Sequence, residues 1–161
     1  MTKRKAAALA LIAALAAVDQ LIKAAVLLRL KPIGGITVID RVLALSYVEN
    51  TGAVFGVMSG NVTVLALVTA AALAAGLVFI LVKSLKNLFE YACAVLIISG
   101  GLGNLIDRFF RGYVVDYLEL LFVRFAVFNF ADMLVVCGSF MLAGYLFYEI
   151  RQEKKSRSDK S

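Results

Sequence analysis

VTVLALVTAAALAAGLVFILV, residues Val62–Val82, decides the fold class of this chain, because no Asp, Glu, Lys or Arg interrupts it. An α-helix rises about 1.5 Å per residue, so about 20 apolar residues cross a hydrocarbon core of roughly 30 Å. Working outward, residues 88–106 and 128–150 form two further apolar runs. A fourth, residues 6–30, is broken only by Asp19 and Lys23 among its first 23 residues. The whole chain is 62% hydrophobic and 17% charged with a mean hydropathy of +0.91. Soluble domains carry about 45–50% apolar and about 25% charged residues. The reading is therefore an all-α integral membrane protein with four transmembrane helices.

Met1-Thr-Lys-Arg-Lys5 before an Ala/Leu run imitates a cleavable signal peptide. Apolar character persists past Asp19 to Leu30, beyond an h-region of about 7–15 residues, so the segment is read as a retained first span. Basic residues set the expected orientation. Lys3, Arg4 and Lys5, then Lys83 and Lys86, then Arg151, Lys154, Lys155, Arg157 and Lys160 fall on one side after four crossings. Both termini are expected in the cytoplasm. The net charge of +6 thus belongs beside anionic lipid, and nucleic-acid binding is not expected. Tyr91 and Tyr148 are expected at the inner interface, Tyr113 and Tyr117 at the outer one.

Between spans one and two, residues 31–60 contain Pro32, Gly34-Gly35 and β-branched stretches at Gly35–Ile39 and Leu43–Val48. These predict short strands, a small extracytoplasmic sheet. Residues 109–127 alternate charged and aromatic side chains and are expected along the outer interface. Residues 1–150 form one domain in this reading, and the polar, basic segment 151–161 is expected to be a disordered cytoplasmic tail.

Without histidine, a Ser-His-Asp triad, a Cys-His dyad and an H-E-x-x-H zinc site are excluded. Cys93 and Cys137 stand in apolar runs and read as small buried hydrophobes. Ionisable residues in or beside spans are costly and demand a reason. Asp19 and Lys23, at i and i+4, can pair, either as a structural brace or with a direct role. Asn104, Asp107 and Arg108 make one polar stripe at the end of span three, beside Gly100, Gly101 and Gly103. Asp116 follows that stripe, and Asp132 lies one turn into span four on the same face as Asn129. The topology brings Asp116 and Asp132 to one depth. Two such carboxylates can share a proton and act as an aspartyl pair, or each can cap a helix or pair with an arginine such as Arg108. A proton-coupled transporter, a serine–lysine peptidase using Ser46 or Ser99 with Lys23, and a structural subunit remain open at this point.

Four ordered blocks then resemble a known family: Asn50-Thr-Gly-Ala-Val-Phe55, Gly100-Gly-Leu-Gly-Asn-Leu-Ile-Asp-Arg108, Gly112-Tyr-Val-Val-Asp116-Tyr, and Phe128-Asn-Phe-Ala-Asp132. They look like the signature of lipoprotein signal peptidases of the bacterial cytoplasmic (inner) membrane. The resemblance implies removal of the signal peptide from diacylglyceryl-modified prolipoproteins, before the lipobox cysteine, by two aspartates and without metal or cofactor. Asp116 and Asp132 match the catalytic positions. Asn50, Asn104, Arg108 and Asn129 match supporting positions, as do Asp19, Lys23 and Asp107. The resemblance further implies an active site near the outer face, a β-cradle between helices one and two, and inhibition by globomycin and myxovirescin. Membrane lipid is the expected surrounding and a monomer the expected state. The aromatic after Asp116 is Tyr117, where the family commonly has Phe.

Overall fold

The computed structural model describes residues 2–52, 61–82, 85 and 87–158, with side chains described through residue 155. Helix α1 spans Lys3–Ala25, started by the Thr2 hydroxyl, which accepts from the Lys5 N–H. Its buried positions, Lys5, Ala8, Ile12, Ala16, Asp19 and Lys23, recur every three or four residues and so share one face. A π-turn (Val26–Leu30) and a 3-10 turn (Lys31–Ile33) extend it. Gly34, at φ +78°, then reverses the chain, a conformation glycine adopts without a Cβ penalty.

Strands β1 (Gly35–Ile39) and β2 (Leu43–Asn50) pair antiparallel around a tight turn with Arg41 at φ 58°. Helices α2 (Val62–Val82) and α3 (Leu88–Arg111) follow, then strand β3 (Val114–Leu120) and helix α4 (Phe130–Ser158). Four segments are long and apolar enough to cross a membrane: Lys3–Ile33, Val62–Val82, Leu88–Arg111 and Phe130–Lys155. All four expected spans are therefore present, and the α2 bounds coincide with the quoted stretch.

Helix α3 is the axis of the bundle, packing against α1, α2 and α4. Its glycines explain how it approaches three neighbours at once. A Cβ on Gly100 would meet Ala131 and Val135 of α4, one on Gly101 would meet Leu73 of α2, and one on Gly103 would meet Asp19 of α1. At the end away from the sheet, Ala8, Ile12, Leu73, Ile80, Tyr91, Val95 and Ile98 form an apolar core. The Lys5 ammonium donates there to the Leu81 carbonyl at 2.6 Å, satisfying a free acceptor at the end of α2. Much of the remaining apolar surface, such as Leu21, Leu67, Val82, Phe140 and Phe147, faces outward, as a lipid solvent requires.

Several expectations need correction. The sheet has three strands in the order β1-β2-β3, and its third strand comes from the α3–α4 connection, expected only to lie along an interface. Val114 and Val115 are β-branched and Tyr117 aromatic, which suits the central edge of β2. The disordered tail is also not observed where the chain is described: α4 continues to Ser158. Gln152, Glu153, Lys154 and Lys155 are good helix formers, and neither Gly nor Pro stops the helix. Tyr91 and Tyr117 are core residues rather than interface anchors, whereas Cys137 is exposed. Lys83, Lys86 and the Ala53–Phe55 part of the first signature block lie outside the described residues.

Candidate active site

The site forms where α1, α3, β2, β3 and the start of α4 meet. Alternation along β3 sends Val115 and Tyr117 to one face, where they pack on Val26 and Leu30 beyond α1. Asp116 points to the other face and is 1% exposed. The chain before α4 runs back along β3: the Tyr117 and Leu118 N–H groups donate to the Phe128 carbonyl, at 3.0 and 2.8 Å. That return carries Asn129 directly onto Asp116.

Asn129 caps α4. Its Oδ1 accepts from the Asp132 N–H at 2.9 Å, and Asp132 Oδ2 accepts from the Asn129 N–H at 3.1 Å. This is a reciprocal capping box with Asp in the usual Glu/Gln place. The same Asn129 amide donates to Asp116 Oδ1 at 2.6 Å and to Asn104 Oδ1 at 3.2 Å. Asn104 donates to Asp132 Oδ1 at 2.7 Å. On β2, Asn50 stands opposite Val114, and its amide reaches diagonally to Asp116 Oδ2 at 2.8 Å. Asp116 and Asp132 are thus joined through Asn129 and Asn104, with carboxamide or backbone N–H donors on each carboxylate.

Burial pushes the Asp116 carboxyl up to about 6, and the neighbouring Asp132 charge adds to this. The Asn50 and Asn129 hydrogen bonds pull the other way, since they favour the ionised form. Tyr117, pushed up to about 12 chiefly by burial, keeps its phenol neutral; its oxygen accepts from the Phe130 N–H at 3.2 Å.

A second cluster adjoins the first. Lys23 Nζ lies 2.9 Å from Asp19 Oδ2, 2.9 Å from Asp107 Oδ2 and 2.9 Å from Asn104 Oδ1. Asp107 also accepts from Gln20, from the Val115 N–H at 3.0 Å and from Arg111. Asp19 Oδ1 accepts from the Ala131 N–H of α4 at 3.2 Å. The i, i+4 pairing expected in span one is present, and the cluster ties α1, α3, α4 and β3 together. Arg108 donates to the Gly52 carbonyl at 3.3 Å, and its charge faces Asp132 and Asp116. Gln20 and Arg111 were not among the expected site residues. A glutamine inside an apolar run and an arginine four residues after Asp107 were the available signals.

The serine–lysine alternative finds no geometry here. Ser46 donates to Glu119 and Ser99 to the Val95 carbonyl, while Lys23 serves Asp19, Asp107 and Asn104. Among the described residues, no cluster of His, Cys, Asp or Glu could hold a metal ion.

Fold and site define a multi-pass membrane protein with a buried network of carboxylates and amides at the sheet end of its bundle. The sequence profile described as Signal peptidase (SPase) II matches residues 11–148. A lipoprotein signal peptidase of Clostridioides difficile is 42% identical over 132 residues, covering 81% of this chain and 88% of that protein. One of Clostridium acetobutylicum is 40% identical over 141 residues, covering 86% and 90%. A solved bacterial membrane enzyme, determined by the in meso method at 2.3 Å resolution, superposes with a TM-score of 0.81 at 28% identity, covering 90% of each chain. This chain belongs to the signal peptidase II family, and it is a protease of lipoprotein maturation.

Proposed function

We propose that this protein is an aspartyl endopeptidase that releases the signal peptide from diacylglyceryl-modified prolipoproteins, cutting before the lipobox cysteine. The observation that carries this reading is the linkage of Asp116 and Asp132 through Asn129 and Asn104; two carboxylates coupled in this way share one proton in the proposed mechanism. The ionised member takes a proton from water as the water oxygen attacks the scissile carbonyl, and the neutral member donates to the carbonyl oxygen. Collapse of the tetrahedral intermediate breaks the C–N bond: the departing amine takes up the proton that came from water, and a hydroxyl of the intermediate returns its proton to the other carboxylate, which restores the pair.

The assignments around the pair follow the same reading. Asn50, Asn104 and Asn129 orient the two carboxylates without adding charge. Arg108 braces the residues after β2 through Gly52. Asp19, Lys23 and Asp107 hold the helices that carry the site. Residues 1–150 act as one peptidase domain, as a monomer, with both termini cytoplasmic and the site near the outer face of a bacterial cytoplasmic membrane. A cysteine tied to lipid would present its scissile bond at that depth, while outward apolar helix faces accommodate acyl chains and the signal-peptide helix. Globomycin and myxovirescin are the expected inhibitors.

The test is cleavage of a diacylglyceryl-modified prolipoprotein by purified protein, comparing the parent with Asp116→Asn and Asp132→Asn. Cleavage by the parent and its loss in both folded variants supports the aspartyl pair. Retained cleavage in either folded variant overturns it.

A further inference from the structure

Each asparagine beside the carboxylates has its side-chain oxygen held by a group that can only donate. Asn50 Oδ1 accepts from the Gly52 N–H at 2.9 Å, Asn129 Oδ1 from the Asp132 N–H at 2.9 Å, and Asn104 Oδ1 from Lys23 Nζ at 2.9 Å. An amide carries its acceptor and its donors on opposite branches, so fixing the oxygen fixes where the NH2 points. Those NH2 groups meet Asp116 Oδ2, Asp116 Oδ1 and Asp132 Oδ1 respectively. In two cases the holding group is backbone. Only Asn104 depends on side chains, with Lys23 as the shorter contact and Asn129 as the longer.

Lys23 is built for that task. It is fully buried, and its ammonium has three N–H bonds and three acceptors: Asp19, Asp107 and Asn104. The two carboxylates anchor it, each itself held by backbone N–H groups, Ala131 for Asp19 and Val115 for Asp107. Without the ammonium, only the longer contact from Asn129, at 3.2 Å, holds the Asn104 oxygen in place. A reversed Asn104 would set its oxygen against Asp132 Oδ1. Two acceptors at hydrogen-bond distance are tolerated only if a proton lies between them. With Asp116, pushed up by burial beside the Asp132 charge, taken as the neutral member, that proton would occupy Asp132, the carboxylate needed as base.

We infer that Lys23 is a positioning residue for proteolysis, which acts through Asn104 to keep an N–H donor on Asp132 and so keeps the carboxylate pair at one proton. The inference rests on the aspartyl reading above and extends it to a residue that touches neither substrate nor the reacting carboxylates. Among the described residues, the titratable and charged groups around this point are Asp19 and Lys23 from α1, Asp107, Arg108 and Arg111 from α3, and Asp116 and Tyr117 from β3. Asp19, Lys23, Asp107 and Arg111 balance one another, so Lys23 is best removed together with one negative charge.

The test is the double variant Lys23→Met/Asp19→Asn, assayed on a diacylglyceryl-modified prolipoprotein across pH, with Asp132→Asn beside it. The carboxamide that Asp19→Asn introduces can still accept from the Ala131 N–H, and Asp107 keeps Arg111. The expected result is a folded protein whose kcat falls about ten- to a hundredfold, as for loss of an outer partner of a catalytic group. KM should change by less than about twofold, and the acid limb of kcat should move to higher pH by roughly one unit. A purely structural role lowers the yield of folded enzyme and leaves that limb in place. An unchanged kcat, or a lowered kcat with an unmoved acid limb, overturns the inference. If the double variant does not fold, Asn104→Asp decides instead: it leaves Lys23 its acceptor but turns an oxygen toward Asp132. The acid limb must again rise, and an unmoved limb overturns the inference. Activity retained by Asp132→Asn signals failure of the aspartyl reading itself, a distinct outcome.

Discussion

Two pairs of aspartates sit side by side in this protein and are treated in opposite ways. Asp19 and Asp107 are fully buried, and Lys23 joins them while Arg111 pairs with Asp107. Asp116 and Asp132 receive carboxamide and backbone N–H donors instead. A carboxylate paired with a buried cation is committed to that partner, because removing either one strands the other's charge in the interior. A carboxylate held by neutral amides keeps its position without that commitment. On the proposed function, the difference separates a brace from a proton carrier, although both use aspartate on adjoining elements. Asn104 stands at the boundary, with its oxygen on Lys23 and its NH2 on Asp132.

The largest expected effect tests the proton-carrying half. Asp132→Asn should lower kcat by about a thousandfold or more while leaving the fold intact, since it removes a group whose chemistry cannot be replaced. Cleavage kinetics and a melting curve on the same preparation check both clauses. Asp107→Asn should do the reverse and act first on stability. It leaves Lys23 with Asp19 alone and deprives Arg111 of its carboxylate, and breaking a buried pair from one side costs about 3–5 kcal/mol. If Asp107→Asn melts like the parent and loses only kcat, the division between brace and proton carrier fails.

A smaller effect follows from pH. The Asp116 carboxyl, pushed up to about 6, lies above its unfolded value near 3.8. Between those values the native state binds more protons than the unfolded one, so stability falls as pH rises through the window. Asp116→Asn removes that penalty. Relative to the parent, its Tm should climb by a few degrees between about pH 4 and pH 8, on top of a pH-independent loss from the donor–donor contact its NH2 makes with Asn50 or Asn129. Asn50→Ala should move the basic limb of kcat/KM upward in pH, because Asn50 stabilises the ionised carboxylate. A downward movement of that limb would contradict the hydrogen-bonding role assigned to Asn50.

The contrast also bears on what the sequence alone can reveal. Helix α2 was legible because one uncharged run has a single solution in a membrane, and β1 and β2 because they are local in sequence and joined by a short turn. The Asp19–Lys23 pair was legible because i, i+4 geometry is fixed by the helix. Strand β3 was not, since Asp116 finds its register against Val48, a partner far back in the chain. The same distance hid the fate of Asp107. Its stripe with Asn104 and Arg108 was evident, but Lys23, Gln20 and the Val115 N–H converge on it only after α1 and β3 are placed. Residue types announced that the aspartates were costly, and the family blocks singled out Asp116 and Asp132. That Asp107 joins Asp19 in receiving cations became readable only from the packing.

The smallest effect sharpens the comparison by holding distance constant. Lys31 Nζ lies 2.9 Å from Glu49 Oε1, the separation found between Lys23 and Asp19. Lys31 and Glu49 are 46% and 43% exposed, however, whereas Lys23 and Asp19 are at 0%. Water and salt screen the exposed pair, and neither partner is stranded when the other is removed. Tyr47 adds a hydrogen bond to Glu49 at 2.7 Å and offers its ring to Lys31, so the cluster has more contacts than a lone pair. Even so, Lys31→Ala should move Tm by no more than about one degree and leave kcat unchanged, because hydration replaces each lost contact. Raising the salt concentration should erase whatever difference remains. A melting shift as large as that of Asp107→Asn would mean that contact distance, rather than burial, governs these ion pairs, and the distinction between the two aspartate pairs would lose its physical basis.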